Sequence, residues 1–274
     1  MRDLDDHPRP GNELNAMFAA LRRWLSRTPD ARDDDIPAAL WARVEAGLPC
    51  LHGLPAETRA RLRDLARRFL AEKEFHGARG MVLSDEIMLS IALQACLPIL
   101  RVGLEGYRHW VGIVVYPGDF VVDREVMDED GVVHNDHHTL LGEAWDGGPV
   151  IVSWAPAGGP AGVNVVIHEF AHTLDMLNGA ADGFPPLPAD MNRHAWAQAF
   201  EAAYEDLCAR VDHGMPTVLD PYASEHPAEF FAVASEAFFE RPDALRDTYP
   251  AVYAQLGALF GVDPSSSSVA STTP

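Results

Sequence analysis

Cysteine is scarce in this chain, with 3 residues among 274. Cys50, Cys96 and Cys208 are odd in number, widely spaced and flanked by apolar residues. A disulfide framework needs paired cysteines, and a cysteine metal site needs them at short, regular spacings. The pattern therefore argues against both kinds of site. It predicts reduced, buried thiols in a reducing compartment, which indicates a cytoplasmic protein.

Positive charge is also scarce, because 21 Lys and Arg residues stand against 41 Asp and Glu residues and leave a formal net charge of −20. Phosphate backbones and anionic lipid surfaces would be repelled by such a chain, so we expect no direct binding to nucleic acid or membrane. The acidic surface favours solubility first, and it would also suit a basic protein partner.

The sequence contains no long apolar run and shows no signal-peptide pattern at its first residues. Its longest nearly apolar run, residues 87–100, is too short to cross a bilayer and contains Ser90 and Gln94. The N-terminus, Met1–Asp6, is acidic and has no apolar core, so we expect no signal peptide there. The glycines are scattered without a phosphate-binding pattern, which argues against a nucleotide site.

The order of predicted elements is helices, a few strands and then helices, which is typical of an α+β protein. Helical spacing and capping signals predict helices at residues 14–25, 38–46, 57–73, 85–100, 194–211 and 227–240, with Ser84 as the N-cap of the fourth. We expect an N-terminal helical region at 1–80 packed on the core, a main domain at 81–263 and a disordered tail at 264–274.

The middle of the chain carries the strand signals. Residues 110–122 and 149–154 are rich in β-branched and aromatic residues and predict strands. Residues 128–138 include His134, His137 and His138, which would suit a second metal site. Their setting is polar and acidic, so the sequence favours a solvated loop there.

The most informative stretch is His168-Glu169-Phe170-Ala171-His172, which follows the mostly apolar residues 163–167. On a helix, residues four apart lie on one face, separated by about 6 Å of rise. Two imidazoles in this position can bind one zinc ion, and Glu169 beside them can take a proton from metal-bound water. The same groups buried without a metal would be costly unless they were paired.

A catalytic zinc site normally has three protein ligands, so a third is needed. The remaining candidates are Asp175, Asp182, Glu225, Glu229 and Glu236, with His194 and His213 as weaker ones. Asp175 follows His172 on the same helix, at a spacing that suits a hydrogen bond to a ligating imidazole better than a direct bond. Glu229 lies in the first turn of a second helix, which a closed tripod requires. Glu236 is either the alternative third ligand or a hydrogen-bond partner of a ligand.

This stretch and several separate motifs occur in a recognisable order along the chain. They are Ile36-Pro37 with Trp41, Leu48-Pro49, the predicted helix at 85–100, residues 145–154, His168 to Asp175 and Tyr222 to Phe231. Together they resemble the Mlc titration factor A family of zinc-dependent peptidases over residues 20–263. The resemblance implies a mainly helical, zincin-like peptidase domain at 81–263, with a small β-sheet next to the His-Glu-x-x-His helix. It also implies that His168, His172 and Glu229 bind one zinc ion and that Glu169 is the general base.

The motif arrangement also resembles the catalytic domain of anthrax lethal factor, in which a tyrosine seven residues before the glutamate ligand assists catalysis. Tyr222 has this position relative to Glu229, so the resemblance implies a catalytic role for its hydroxyl. Thr173 departs from the Lys that family members often carry, which affects substrate preference more than the metal. The strand at 150–154 is expected to offer an edge along which an extended peptide binds.

The family resemblance implies a peptide or protein substrate and aminopeptidase activity. It also implies an association with the glucose repressor Mlc, and so a role in regulating glucose phosphotransferase genes. The alternative is a non-catalytic regulatory protein that binds and sequesters a transcriptional repressor.

Overall fold

Eight α-helices and two small sheets make up most of the described part of the chain in the computed structural model. The structure describes residues 36–118, 120–127, 133–140, 142–143, 148–154 and 164–265. The predicted helix at 14–25 and all but the first two residues of the predicted tail lie outside this part. Within it, none of the helices is long and apolar enough to cross a membrane.

The first three helices form one side of the core. Helix α1 spans Ala38–Ala46, α2 spans Ala56–Glu72 and α3 spans Asp85–Ala95, and both α1 and α2 pack on α3. The predicted cap is confirmed, because the Ser84 hydroxyl accepts a hydrogen bond from the Ile87 N–H at 3.3 Å. Residues 89–95 are all buried, as the near absence of a polar face predicts.

The sheet next to the helices is mainly parallel. Its strands are β1 (Glu74–Gly77), β2 (Gly112–Tyr116), β5 (Gly142–Glu143) and β6 (Val150–Ser153), in the order β1-β2-β6-β5. The first three in this order run parallel, and β5 pairs antiparallel with β6. The strand predicted at 110–122 is divided in two, because Pro117 has no N–H and Gly118, with a φ of 97°, turns the chain.

A separate antiparallel pair follows the turn. Strand β3 (Phe120–Met127) pairs with β4 (Val133–Leu140), and Asp123 lies opposite His137. The prediction of a loop at 128–138 is therefore wrong for residues 133–138. Polar residues have weak strand preference of their own, so the pairing with β3 sets the conformation here.

Five helices complete the described chain. They are α4 (Val165–Asp175), α5 (Arg193–Asp212), α6 (Pro227–Glu240), α7 (Pro242–Thr248) and α8 (Pro250–Phe260). The last three begin with proline, whose fixed φ suits the first helical position. Helix α4 packs against β6 on one side and α6 on another, so the His-Glu-x-x-His segment lies between the sheet and the C-terminal helices.

An aromatic cluster fixes the buried face of α4. The Phe170 ring lies 5.2 Å from Tyr107, 5.5 Å from Trp110 and 5.8 Å from Phe69, measured between centroids. Edge-to-face pairs of this kind stabilise a core beyond the area that they bury. Phe69 belongs to α2, so the N-terminal helices contribute to the surface on which α4 rests. The predicted boundary at residue 80 stays a prediction.

Candidate metal centre and active site

Helix α4 brings His168 and His172 to one face, one turn apart. Asn164 caps the helix, with its side-chain oxygen accepting from the Ile167 N–H at 3.0 Å. The two Nε2 atoms lie 3.2 Å apart. Phe170, on the opposite side of the helix, is fully buried, so the helix turns its imidazoles away from the aromatic cluster.

Helix α6 adds a carboxylate to the pair. Glu229 Oε2 lies 3.2 Å from His168 Nε2 and 3.3 Å from His172 Nε2. Glu229 occupies the first turn of α6, where the helix dipole favours a negative charge. The His226 side chain caps that turn by accepting from the Ala228 N–H at 3.1 Å. Local capping and the packing of α6 on α4 together place the carboxylate.

The spacing of these three atoms suits a metal ion. Two atoms bound at 2.0–2.1 Å to a tetrahedral zinc ion lie about 3.3 Å apart, and the observed separations are 3.2, 3.2 and 3.3 Å. Among the described residues, His168, His172 and Glu229 form the group that could hold a metal. Their donor atoms are nitrogen and oxygen, which zinc accepts.

The electrostatics of the cluster favour a positive charge at its centre. Burial alone would lower the pKa of His168, but hydrogen bonds with Glu229 and Glu236 raise this pKa well above its ordinary value. Burial would raise the pKa of Glu229, whereas its hydrogen bonds with His168 and His172 lower it strongly. An ionised carboxylate therefore faces two imidazoles, and a cation between them would satisfy all three.

Glu236 lies on the other side of the His168 ring. Its Oε1 is 2.7 Å from His168 Nδ1, which is the nitrogen remote from Glu229. Glu236 is buried, with 5% of its surface exposed. A carboxylate in this position fixes the ring orientation and leaves the Nε2 lone pair free to bind a metal. The geometry thus separates two glutamates between which residue spacing left the choice of ligand open, and it is Glu229, the ligand that the family resemblance implies, that faces both imidazoles.

Asp175 lies at the end of α4 and is completely buried. Its Oδ2 accepts from the Gly183 N–H at 2.7 Å. Among the described residues, neither its Oδ1 nor the Nδ1 of His172 has a hydrogen-bond partner, although both atoms are buried, so the predicted hydrogen bond between the two residues is not formed. Burial raises the pKa of Asp175 to about 6.

Two further groups with predicted roles lie near the metal candidates. Glu169 is on α4 and has 4% of its surface exposed. The Tyr222 ring centroid is 6.4 Å from that of His168, and 41% of the tyrosine is exposed. Burial raises the pKa of Tyr222, as do the nearby carboxylates of Glu229, Glu225 and Glu169. Asp220 Oδ1 accepts from the Tyr222 N–H at 3.0 Å and fixes the turn.

Strand β6 is not a free edge. Ile151 and Val152 pair with β5 on the side opposite β2, so the prediction of a peptide-binding edge at 150–154 is wrong for these residues. The two residues of β5 take the outer position in this sheet.

Two residues next to the site were not predicted from the sequence to have a role there. Asn164 and Gly183 each link the His-Glu-x-x-His helix to α6, through contacts with Glu236 and Pro227 respectively. A local signal existed for both, since Asn before an apolar helix is a common N-cap and Asp182-Gly183 is a turn dipeptide. Their long-range contacts leave no mark in the local sequence.

A His-Glu-x-x-His helix that meets a glutamate from a second helix is the arrangement of the zincin class of metallopeptidases. Sequence comparison agrees: the profile of the family described as glucose-regulated metallo-peptidase M90 matches residues 21–261. The chain therefore belongs to this metallopeptidase family. The predicted mainly helical, zincin-like α+β fold is confirmed.

Several relatives cover most of the chain. Mlc titration factor A of Escherichia fergusonii is 34% identical over 248 residues, which cover 88% of this chain and 92% of that protein. Mlc titration factor A of Salmonella arizonae is 37% identical over 232 residues, which cover 82% and 92%. A protein of Synechocystis sp. is 36% identical over 224 residues, which cover 79% and 81%. The predicted resemblance to the Mlc titration factor A family is confirmed.

Proposed function

We propose that this metallopeptidase is a zinc enzyme that hydrolyses peptide bonds with a metal-activated water. The observation that carries the proposal is the convergence of His168, His172 and Glu229 within 3.2–3.3 Å of one another. These three side chains would hold one zinc ion. When bound, the ion would polarise the scissile carbonyl and lower the pKa of a coordinated water.

The protein's own groups would move the protons. Glu169, buried beside the cluster, would accept a proton from the attacking water and later donate it to the leaving amine. The Tyr222 hydroxyl, kept protonated by its raised pKa, would donate a hydrogen bond to the carbonyl oxygen as negative charge develops on it. Glu236 would hold His168 in the tautomer with the proton on Nδ1.

Asp175 would support the second histidine. Its Oδ1 and the Nδ1 of His172 are both buried, and neither finds a hydrogen-bond partner within the described part of the chain. When His172 binds a metal through Nε2, its proton resides on Nδ1. A small movement would then let Asp175 accept a hydrogen bond from this N–H.

Glu169→Gln tests the mechanism. We expect it to lower peptide cleavage at least about 100-fold, because a general base contributes 10²–10⁴ to the rate. One zinc per chain should remain bound, since Glu169 is not a ligand in the proposal. Glu201→Gln, an exposed substitution on α5, is the matched control and should keep full activity. Cleavage that survives Glu169→Gln would refute the assigned base.

We further propose aminopeptidase activity, which the family resemblance supports. Amino-acid p-nitroanilides with a free amine should be cleaved, and their N-acetylated counterparts should be resistant. Equal cleavage of both would contradict an aminopeptidase.

A second function is supported by the name Mlc titration factor A of the relatives. We propose that the chain also binds a transcriptional repressor of the Mlc type in the cytoplasm and so affects sugar-uptake genes. The free cysteines fit a reducing compartment. Glu169→Gln should leave repressor binding intact. A wild-type protein that binds zinc stoichiometrically and the repressor, yet cleaves no peptide, would favour a purely regulatory role.

A further inference from the structure

Asn164 has an unusually complete set of hydrogen bonds. Its backbone N–H donates to Glu236 Oε2 at 2.5 Å. Its side-chain amide donates to Gln94 Oε1 at 2.8 Å and to Glu240 Oε1 at 2.6 Å. Its side-chain oxygen caps α4 through Ile167. One residue thus connects α3, α4 and α6, and 8% of its surface is exposed.

We propose that Asn164 is a positioning residue that sets the orientation of the metal ligand His168 through Glu236. This inference rests on the proposed zinc site. Glu236 has two carboxylate oxygens, of which Oε2 accepts from the Asn164 N–H and Oε1 contacts His168 Nδ1 at 2.7 Å. The place of the Asn164 backbone therefore determines where the carboxylate meets the imidazole.

The side chain of Asn164 holds that backbone in place from two helices. Glu240 lies one helical turn after Glu236 on α6, so the amide of Asn164 and its N–H bind the same face of that helix. Gln94 comes from α3. Its own amide nitrogen donates to the Ser90 carbonyl at 3.0 Å and to the Ser90 hydroxyl at 3.2 Å, which orients its oxygen toward Asn164.

An amide at residue 164 is required by this pattern. The side chain must accept from one N–H and donate to two oxygens, and asparagine has the groups for both. Aspartate would keep the helix cap but would place a carboxylate against the oxygens of Gln94 and Glu240. Serine would keep a capping oxygen but could not reach both acceptors. The cap and the positioning contacts can therefore be separated by substitution.

The two imidazoles of the site differ in how their Nδ1 atoms are held. His168 Nδ1 is held by a carboxylate that is itself held by Asn164, whereas His172 Nδ1 has no hydrogen-bond partner in the part of the chain that the structure describes. Loss of such outer partners lowers metal affinity 10- to 100-fold in metalloproteins generally. We therefore expect substitution of Asn164 to change the zinc dissociation constant. The contacts of Asn164 described above are with Glu236, Gln94, Glu240 and Ile167, and so the effect would be indirect.

The test is zinc affinity of the full chain, measured by competition with a chromogenic chelator. Asn164→Asp should raise the zinc dissociation constant at least about tenfold. Asn192→Asp is the matched control, because Asn192 caps α5 by accepting from the His194 and Ala195 N–H groups and has no contact with the site in the described hydrogen bonds. It should change the constant less than about twofold.

A reversed pair separates positioning from general destabilisation. In the double variant Asn164→Asp with Glu240→Gln, the glutamine amide can donate to the aspartate, so the hydrogen bond returns with its direction exchanged. We expect at least half of the lost affinity, on a logarithmic scale, to be recovered. Unfolding of the metal-free proteins in urea gives the stability of each variant. If Asn164→Asp does not fold, Asn164→Ser carries the same expectation.

The outcomes distinguish the inference from the function on which it rests. A folded Asn164→Asp protein with wild-type zinc affinity would overturn the inference while leaving the zinc site intact. A loss of affinity that the reversed pair fails to recover would also overturn it. If the wild-type chain binds no zinc, the proposed function fails, and the positioning role fails with it.

Discussion

Gly183 lies between the two helices that carry the metal candidates, and its replacement by alanine gives a sharp test of how the site is held. Its N–H donates to Asp175 Oδ2 at 2.7 Å, and its carbonyl accepts from the Trp196 indole at 3.3 Å. Its φ is +80°, and a Cβ at this position would lie 2.5 Å from the Pro227 carbonyl oxygen. Pro227 opens α6, two residues before Glu229.

The cost of Gly183→Ala has two parts. A left-handed backbone costs alanine about 1–2 kcal/mol relative to glycine. The overlap with a backbone oxygen forces either the 179–188 loop or the start of α6 to move, which adds about 1–3 kcal/mol. Gly214 isolates the first part, because its φ is +62° and a Cβ there would meet nothing within 4 Å. Gly214→Ala should therefore cost only about 1–2 kcal/mol.

Urea unfolding of the metal-free proteins measures both costs, and chelator competition measures zinc affinity. We expect Gly183→Ala to be the less stable variant by at least about 1 kcal/mol. We also expect it to bind zinc at least about tenfold more weakly, because ligands must be held within about 0.5 Å of their productive positions. Equal stability and equal zinc affinity of the two variants would show that the contact with Pro227 does not position Glu229.

Two further predictions concern groups on either side of α4. Tyr222→Phe should lower kcat about 100-fold, as loss of one oxyanion donor does, with zinc affinity unchanged; an unchanged kcat would remove Tyr222 from the mechanism. Lys73 is buried and donates to the Tyr107 and Trp110 carbonyls, and burial lowers its pKa from 10.5 to about 8. Between pH 8 and pH 10.5, Lys73 is protonated in the unfolded chain and neutral in the folded protein. The free energy of unfolding should therefore rise with pH in this range, by up to about 3 kcal/mol relative to Lys73→Met. Urea unfolding of both proteins at pH 7.5 and 10.5 checks this, and a constant difference between them would contradict it.

Helix positions were predictable from local signals. Pro227 at the first helical position and the apolar spacing after it predict α6 with the bounds that the structure has. Ser84 similarly marks the start of α3. The His-Glu-x-x-His spacing places two imidazoles on one face of any helix, which allows the observed approach of their Nε2 atoms to 3.2 Å.

Features that depend on distant partners were not predictable. The β3–β4 hairpin includes polar residues with weak strand preference, so only pairing reveals it. The free edge expected at β6 is covered by β5, a strand of only two residues with no signal of its own. Residue spacing alone could not choose between Glu229 and Glu236, because both residues lie on the face of α6 that meets the histidine helix; the family resemblance implied Glu229.

The aromatic cluster behind Phe170 has a consequence for how the protein could evolve. Phe69 on α2, together with Tyr107 and Trp110, forms the surface against which the histidine helix rests. A recombination event that replaced the first helices with those of an unrelated protein would therefore remove part of the support of α4. An exchange of α2 by itself would separate Phe69 from the helix that carries both histidines.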